Sequence, residues 1–443
     1  MRSTMNYFPR GGSDQDLGSR SIASICRVPL GMRRAGEDRA RHAYDPKLVS
    51  IGPFHNGNPA LKLMEEHKSH VISRGLERIN RTRLLEANVN QEGAITTDSL
   101  AQAIEGLEPR ARACYSEAFD IHSEKFRHMM VLDGLFIIEV FDRFRESNGG
   151  ISWDEAEIDL IFRSRWILPM LMLDLIKLEN QLPFFILEKL FDLTHTGNKS
   201  FSHTFTYLAL YFYASFNPSM PKSCLTDHDS RGIVHLLELF HSVYKPTVNR
   251  SPRLDRRHSI GSIRDIQLAD ITFKRGQRNL LDIIYNRAGQ AVLEIPQLLI
   301  DYSTGPLLRN LVALEQSTRS VSPYFTSYVN FFAELVNSPQ DVEILRRGNV
   351  IVSLIGNDEE VATLLSNIRK EVILFERECY LSSVRHMIGE RMASVWYQIQ
   401  GRLKLILLDP FGKYVALLIT IAALYLTIIQ TIFTFLSYFR PRN

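Results

Sequence analysis

Trp166–Phe191 reads WILPMLMLDLIKLENQLPFFILEKLF and is the densest apolar run ahead of the C-terminal segment. Lys177, Glu179 and the prolines argue against a membrane span here, because a spanning helix needs about 20 predominantly apolar residues. Pro183 breaks the pattern: its ring cannot continue a preceding helix, yet it suits the first turn of a new one. The run therefore predicts two buried helices that meet near Glu179–Pro183. Asp174, Glu179, Asn180 and Gln181 are polar groups inside it. Leaving such a group buried and unpaired costs about 1–3 kcal/mol, so each must be satisfied. Free amides and carbonyls at the two helix ends are the nearest partners. The expected role is to cap those ends and fix the angle between the helices. The alternative is a catalytic carboxylate whose pKa is raised by burial.

Outward from this run, helical periodicity dominates. Leu61, Met64, Glu65, Lys68, Val71 and Ile72 fit one helix, and 108–145 reads as another that Asp133–Gly134 interrupts. Further helices are expected at 201–214, 232–243, 306–318, 322–337, 358–370 and 376–406. Asn310, Glu315 and Gln316 repeat the buried polar chemistry of the first cluster, and a partnership between the two clusters is one expectation. Leu280–Tyr285 and Ala291–Ile295 are β-compatible runs on either side of a loop with Gly289. The basic, proline-containing loop at 246–262 is the best internal boundary. The region before Asn56 is rich in Pro and Gly and should be irregular. Residues 1–24 read as a flexible tail with no apolar core for a signal peptide.

From Tyr414 to Phe439 no residue is charged: YVALLITIAALYLTIIQTIFTFLSYF. This predicts a transmembrane helix at 415–439 with aromatic residues at its ends, followed by a short tail at 440–443. Its late position implies insertion after synthesis and the bulk of the chain in the cytosol. Among membranes the plasma membrane is favoured. Ala416, Thr420, Ala423, Thr427, Thr431 and Thr434 recur at spacings of three and four, with Gln430 beside them. Small and hydroxylated residues let helices approach in lipid, and Gln can hydrogen-bond across the contact. The stripe is an expected self-association face, although threonines can also bond their own helix carbonyls.

Composition narrows the function classes. The chain has 443 residues, 45% hydrophobic and 23% charged, with a net charge of +3. A near-neutral balance gives no basic stripe for nucleic acid. Cys26, Cys114, Cys224 and Cys379 are far apart and unpaired by any CxxC spacing, which fits free thiols in a reducing compartment. His55, His67 and His70 lie close in sequence, but no carboxylate or cysteine at a known spacing completes a metal site. There is no phosphate loop, dinucleotide fingerprint, HExxH or nucleophile elbow. The sequons at Asn80, Asn198 and Asn249 matter only for an extracellular domain. No catalytic, cofactor or metal residues are assigned, and no cofactor is expected.

The blocks ICRVPLGMRR at 25–34, AYDPKLVSIGPFHNG at 43–57 and MEEHK at 64–68 together resemble the plant family known as domain of unknown function 247. VLDGLFIIEVF at 131–141 is similar to its Met-Leu-Asp-Gly block. LDLIKLENQLPFFILEKLF at 173–191 resembles its Leu-Glu-Asn-Gln-Leu-Pro signature. HLLELF, LEIPQLLID, RNLVALEQ and TSYVNFFAELVNSPQDVEIL follow in order up to residue 345. The chain departs from the family pattern at Ala269–Asp270 and Asp409–Pro410–Phe411. The resemblance implies a helical, membrane-associated plant protein with no established activity. In grasses some members are linked to pollen–pistil self-incompatibility, which implies only that the scaffold can serve recognition.

The expected architecture is mainly α: a large helical domain at 25–408 with a small β-element, then one C-terminal transmembrane helix. Its structural signature residues are Asp133, Gly134, Glu179, Asn180, Gln181, Pro183, Asn310, Glu315 and Gln316. The expected function is an interaction or recognition module tethered to a membrane. The alternative is an enzyme with dispersed residues, Glu179, Asp174 and His235 first among them.

Overall fold

The computed structural model describes residues 23–34, 42–87, 94–147, 160–195, 200–247, 259–287, 289–373, 376–394, 397, 399 and 410–438. Nearly all of the expected tail at 1–24, the sequons at Asn198 and Asn249, most of the loop at 246–262, and the tail at 440–443 lie outside the described residues. The chain divides into two compact units. One comprises Met1–Arg34, Asp38–Val243 and Ser317–Arg319; the other comprises Ala35–Glu37, Tyr244–Gln316 and Ser320–Asn443.

In the first unit the helix Ser123–Glu146 is the hub. Lys62–Ala87, Thr97–Ala103, Phe184–Thr194 and Phe205–Phe216 all pack against it. Phe126, Met130, Phe136, Ile137, Val140 and Phe141 are buried on it. A helix with neighbours on several sides is apolar around most of its circumference. Each such side chain, fully buried, stabilises the fold by about 1.5–3 kcal/mol. The aromatic layer continues into Phe205–Phe216, where the Phe141 and Phe212 rings lie 4.8 Å apart.

The expected single helix at 108–145 is in fact two, Glu108–Ala113 and Ser123–Glu146, with the break at 114–122. Asp133–Gly134 do not interrupt the second; they sit in its middle. Gly134 is there for close approach, since a Cβ at that position would run into Leu190 Cδ1 of the helix Phe184–Thr194. The two helices expected in Trp166–Phe191 are present, as Ile167–Leu175 and Phe184–Thr194, with Pro183 as the N-cap of the second.

The second unit carries the β-structure. β2 (Ile284–Asn286) and β3 (Val292–Pro296) pair antiparallel, at the two runs expected from sequence. β1 (Thr272–Gly276), which the sequence did not suggest, pairs parallel to β3 in register Thr272↔Val292. Its TFKRG sequence keeps Lys274 and Arg275 exposed, so no apolar alternation marks it. β4 (Leu298–Ile300) and β5 (Ile351–Ser353) form a second, two-stranded parallel sheet. Helices Thr304–Ser317, Tyr324–Leu335 and Asp358–Lys370 fall where expected. In the expected 376–406 helix, the described residues give a 3₁₀ turn at Glu376–Glu378 and a helix at Ser382–Ala393.

The C-terminal helix runs Pro410–Tyr438. Within it Leu417–Phe435 is long and apolar enough to cross a membrane, and none of that window is buried. At 1.5 Å per residue the helix is about 43 Å long, enough for a hydrocarbon core of about 30 Å. The fold is thus mainly α, with few strands and one apolar C-terminal helix that could span a bilayer.

Candidate functional site

Asp174, Glu179, Asn180 and Gln181 are all buried, each 1% exposed or less. They line up along the connection between helices Ile167–Leu175 and Phe184–Thr194, and they grip a segment far away in sequence. The Asp174 carboxylate accepts the N–H groups of Lys47, Leu48 and Val49 at 3.0, 2.6 and 3.1 Å. Asn180 Oδ1 accepts the Ile51 N–H at 2.7 Å while its Nδ2 donates to Val49 O. Glu179 accepts the Val28 N–H at 2.7 Å. The side chains thus stand in for a neighbouring strand, satisfying a backbone that has no sheet to join.

The expected capping role holds for the amides and not for the carboxylates. Gln181 Nε2 donates to the Leu175 and Lys177 carbonyls at 2.7 and 2.8 Å, and Asn180 Nδ2 to the Asp174 carbonyl at 3.0 Å. Gln181 Oε1 accepts the Leu237 N–H at the start of helix Leu236–Ser242. Asp174 and Glu179 serve the N-terminal segment instead. A carboxylate offers only acceptors, so it seeks free N–H groups, which an irregular segment supplies in number.

Three cations surround this acid cluster. Arg33 bridges Glu179 and Asp45, at 2.6 and 2.8 Å. Arg27 reaches Glu179 at 3.3 Å and lies 4.5 Å above the Phe54 ring. Lys177, almost fully buried, sits 3.5 Å from Asp174 and donates to the Asp45 carbonyl. Burial alone would raise the Glu179 carboxyl. His55, Arg33 and the Val28 amide outweigh it and hold the group at about 2. Burial pushes the Lys177 ammonium down and the Asp174 carboxyl up.

Asp133 is the second anchor of the same segment. Its Oδ2 accepts the Gly52 N–H and its Oδ1 binds Lys68 Nζ, both at 2.7 Å. Lys68 also donates to Ser50 O and Glu65. Burial opposes the Lys68 charge, but Asp133 and Glu65 reverse that and raise its pKa. Gly52 has φ +73°, and a Cβ there would stand 2.6 Å from Gln181 O. Both the backbone conformation and the space call for glycine.

Asp45, His55 and Glu179 bring ligand atoms within 4.8 Å of one another, so carboxylates distant in sequence do converge on His55. Arg33 already occupies both carboxylates, and a metal ion would have to displace it. His67 is half-buried and His70 exposed on helix Lys62–Ala87. His235 is fully buried; its Nδ1 accepts the Glu238 N–H and burial lowers its pKa to about 4. Asn80 exchanges two hydrogen bonds with the Ile95 backbone, which ties up its side-chain amide.

In the second unit Glu315 caps helix Tyr324–Leu335 by accepting the Phe325 and Thr326 N–H groups at 2.8 and 2.7 Å. Gln316 brackets Glu371 O and Ile373 N, and Asn310 Nδ2 donates to Pro306 O one turn back. Glu179 is satisfied within the first unit by Arg27, Val28, Arg33 and His55. Sequence reasoning missed Arg27, Arg33, Asp45 and Lys68, which complete the charge balance of the buried cluster.

On the C-terminal helix, Thr427, Thr431 and Thr434 donate to the carbonyls of Ala423, Thr427 and Gln430, at 2.7–2.8 Å. Gln430 lies exposed on the same helix.

A family model described as a plant protein of unknown function, DUF247, matches residues 25–429. The UPF0481 protein At3g47200 of Arabidopsis thaliana is 30% identical over 423 residues, which cover 88% of this chain and 82% of the relative. The putative UPF0481 protein At3g02645 of the same plant is 21% identical over 501 residues, covering 92% and 89%. No solved structure matches the chain. The matched span, from Ile25, takes in both the backbone amides of Val28, Lys47–Val49 and Gly52 and the carboxylates that hold them, and the chain belongs to the plant DUF247 family of unknown function.

Proposed function

We propose that this protein is an interaction or recognition module tethered to a membrane by its C-terminal helix. The observation that carries the reading is the helix Pro410–Tyr438: its window Leu417–Phe435 is uncharged throughout and wholly unburied. Water-exposed Leu, Ile and Phe on that scale call for lipid or protein around them. A single span confines the remaining chain to a surface, where weak contacts gain from high effective concentration. The buried carboxylates of the first unit are committed to backbone amides and fixed cations, which fits a scaffold that presents a surface. All four cysteines are free, and that suits a cytosolic face, where thiols stay reduced.

Proximity labelling in plant cells tests the reading, with the labelling enzyme fused to the N-terminus. The full chain should label a discrete set of membrane neighbours that a version ending at Leu408 loses. Identical soluble neighbours for both forms would remove the anchor from the function. Protease protection on intact microsomes checks the side: the N-terminal fusion should be cleaved without detergent.

A further inference from the structure

A cavity of about 40 Å³ lies in the second unit, between the stretch Leu281–Tyr285 and the start of helix Ser382–Ala393. Its walls are mostly carbon, from Pro246, Leu281, Ile283, Tyr285, Tyr380 and Val384. One acid lines it. Asp282 is 3% exposed; its Oδ1 accepts the Thr247 N–H at 2.7 Å, and its Oδ2 is buried with no hydrogen-bond partner among the described residues. Among those residues no lysine, arginine or histidine forms an ion pair with it.

A buried carboxylate oxygen on a residue that lines an apolar cavity needs a donor and a compensating charge. The cavity shape limits what can supply both. Calcium takes six or more oxygen ligands, and zinc takes nitrogen and sulfur; one carboxylate among carbon walls offers neither set. Water can donate but leaves the charge uncompensated. A primary ammonium brings a full charge and three N–H donors, and tyrosine rings favour a cation beside them. On the scale where one water needs about 10–15 Å³, the cavity admits a head of a few heavy atoms and no more.

We propose that this cavity binds a primary alkylammonium group, with Asp282 as its counter-ion and the walls of Tyr285 and Tyr380 enclosing its methylene end. The group can belong to a small free amine or to the tip of a lysine side chain. The site is independent of the membrane reading.

The test uses the full chain in detergent micelles and follows its thermal midpoint at constant ionic strength. Methylammonium chloride should raise the midpoint saturably, while tetramethylammonium chloride, which has no N–H, and sodium chloride should not. Asp282→Asn, which keeps the acceptor for Thr247, should weaken the methylammonium response at least tenfold. Val384→Phe, which fills the cavity without touching the acid, should abolish it. Nα-acetyl-lysine amide distinguishes the sources: a matching response admits a lysine side chain, and none restricts the site to free amines. If methylammonium and tetramethylammonium act alike on the unaltered chain, or if Asp282→Asn responds as the unaltered chain does, the proposal fails. Should both variants fail to fold, the comparison of the two ammonium ions on the unaltered chain decides alone.

Discussion

Glu179 accepts the backbone N–H of Val28 at 2.7 Å across 151 residues of chain, with no exposure to solvent. The same carboxylate meets Arg33 at 2.6 Å and Arg27 at 3.3 Å. Glu179→Gln keeps the shape and one acceptor oxygen but leaves two guanidiniums facing a neutral amide. Breaking a buried pair by removing one partner costs about 3–5 kcal/mol. Partial exposure of Arg27 and Arg33 places the expected loss near the lower end. The thermal midpoint of the full chain in micelles reads it, and limited proteolysis should show new cleavage between Arg27 and His55. A midpoint within about a degree of the unaltered protein, against the several degrees such a loss implies, would mean the ion cluster is not what holds the segment.

Acid should lower the stability of the protein in two stages, whose signs follow from the pKa directions. The folded-state pKa of His235 is lowered by burial to about 4, below its ordinary 6.5. The folded state therefore binds fewer protons, and stability falls as pH drops from about 6.5 towards 4. Glu179 is held at about 2 instead of 4.5. Its contribution is complete above about 4.5 and is lost as pH falls from there towards 2. His235→Asn retains a good N-cap for helix Leu236–Ser242. It should flatten the stability slope between pH 6.5 and 4 and leave the steeper loss below 4.5. Equal slopes for both proteins in the upper window would refute the assignment to His235.

Gly52→Ala tests the second anchor. Its φ of +73° and the 2.6 Å that would separate an added Cβ from Gln181 O oppose any side chain. Left-handed backbone costs an L-residue about 1–2 kcal/mol, and overpacking a tight site adds about 1–3 kcal/mol. Gly134→Ala should be costly for a different reason, the Leu190 methyl in its way. Pairing Gly134→Ala with Leu190→Val should recover part of that loss, since contacting residues are non-additive. Gly52→Ala should show no such recovery with Leu190→Val. Denaturant midpoints for the single and paired variants suffice to decide.

Several of these residues stood out in the sequence, and others were invisible for a physical reason. Asp174, Glu179, Asn180 and Gln181 announced themselves because polar groups in an apolar run must be satisfied, and they are. What satisfies the acids could not be read, because Val28, Lys47–Val49 and Gly52 lie more than 80 residues away from them in the chain. Periodicity reports a local face and is silent about distant partners. The N-terminal and Leu-Glu-Asn-Gln-Leu-Pro blocks are separate motifs along the sequence; in the structure one block binds the backbone of the other. Asp133–Gly134 misled because glycine serves both to end a helix and to let helices touch. β1 was missed because its outward Lys274 and Arg275 erase the alternation expected of a strand. Helix Asp358–Lys370 was legible to the residue, with Asn357 as its cap and three acids in its first turn.

Thr427, Thr431 and Thr434 commit their hydroxyl protons to carbonyls of their own C-terminal helix, so those protons need no partner on a second helix. Gln430 is different: its amide is exposed five residues inside the end of the apolar window at Phe435. An amide facing hydrocarbon gains from a partner on a second helix, by about 0.6–2 kcal/mol in measured cases. If the span associates laterally, Gln430 and not the threonine stripe should control it. Gln430→Leu alone should weaken association in a membrane two-hybrid assay several-fold, which corresponds to about 1 kcal/mol. Thr427→Val should change it little, because valine keeps the shape and removes only a hydroxyl that points home. Loss in Thr427→Val with no loss in Gln430→Leu would place the contact on the packing stripe instead. No loss in either would leave the span as a plain anchor, with any recognition assigned to the residues before it.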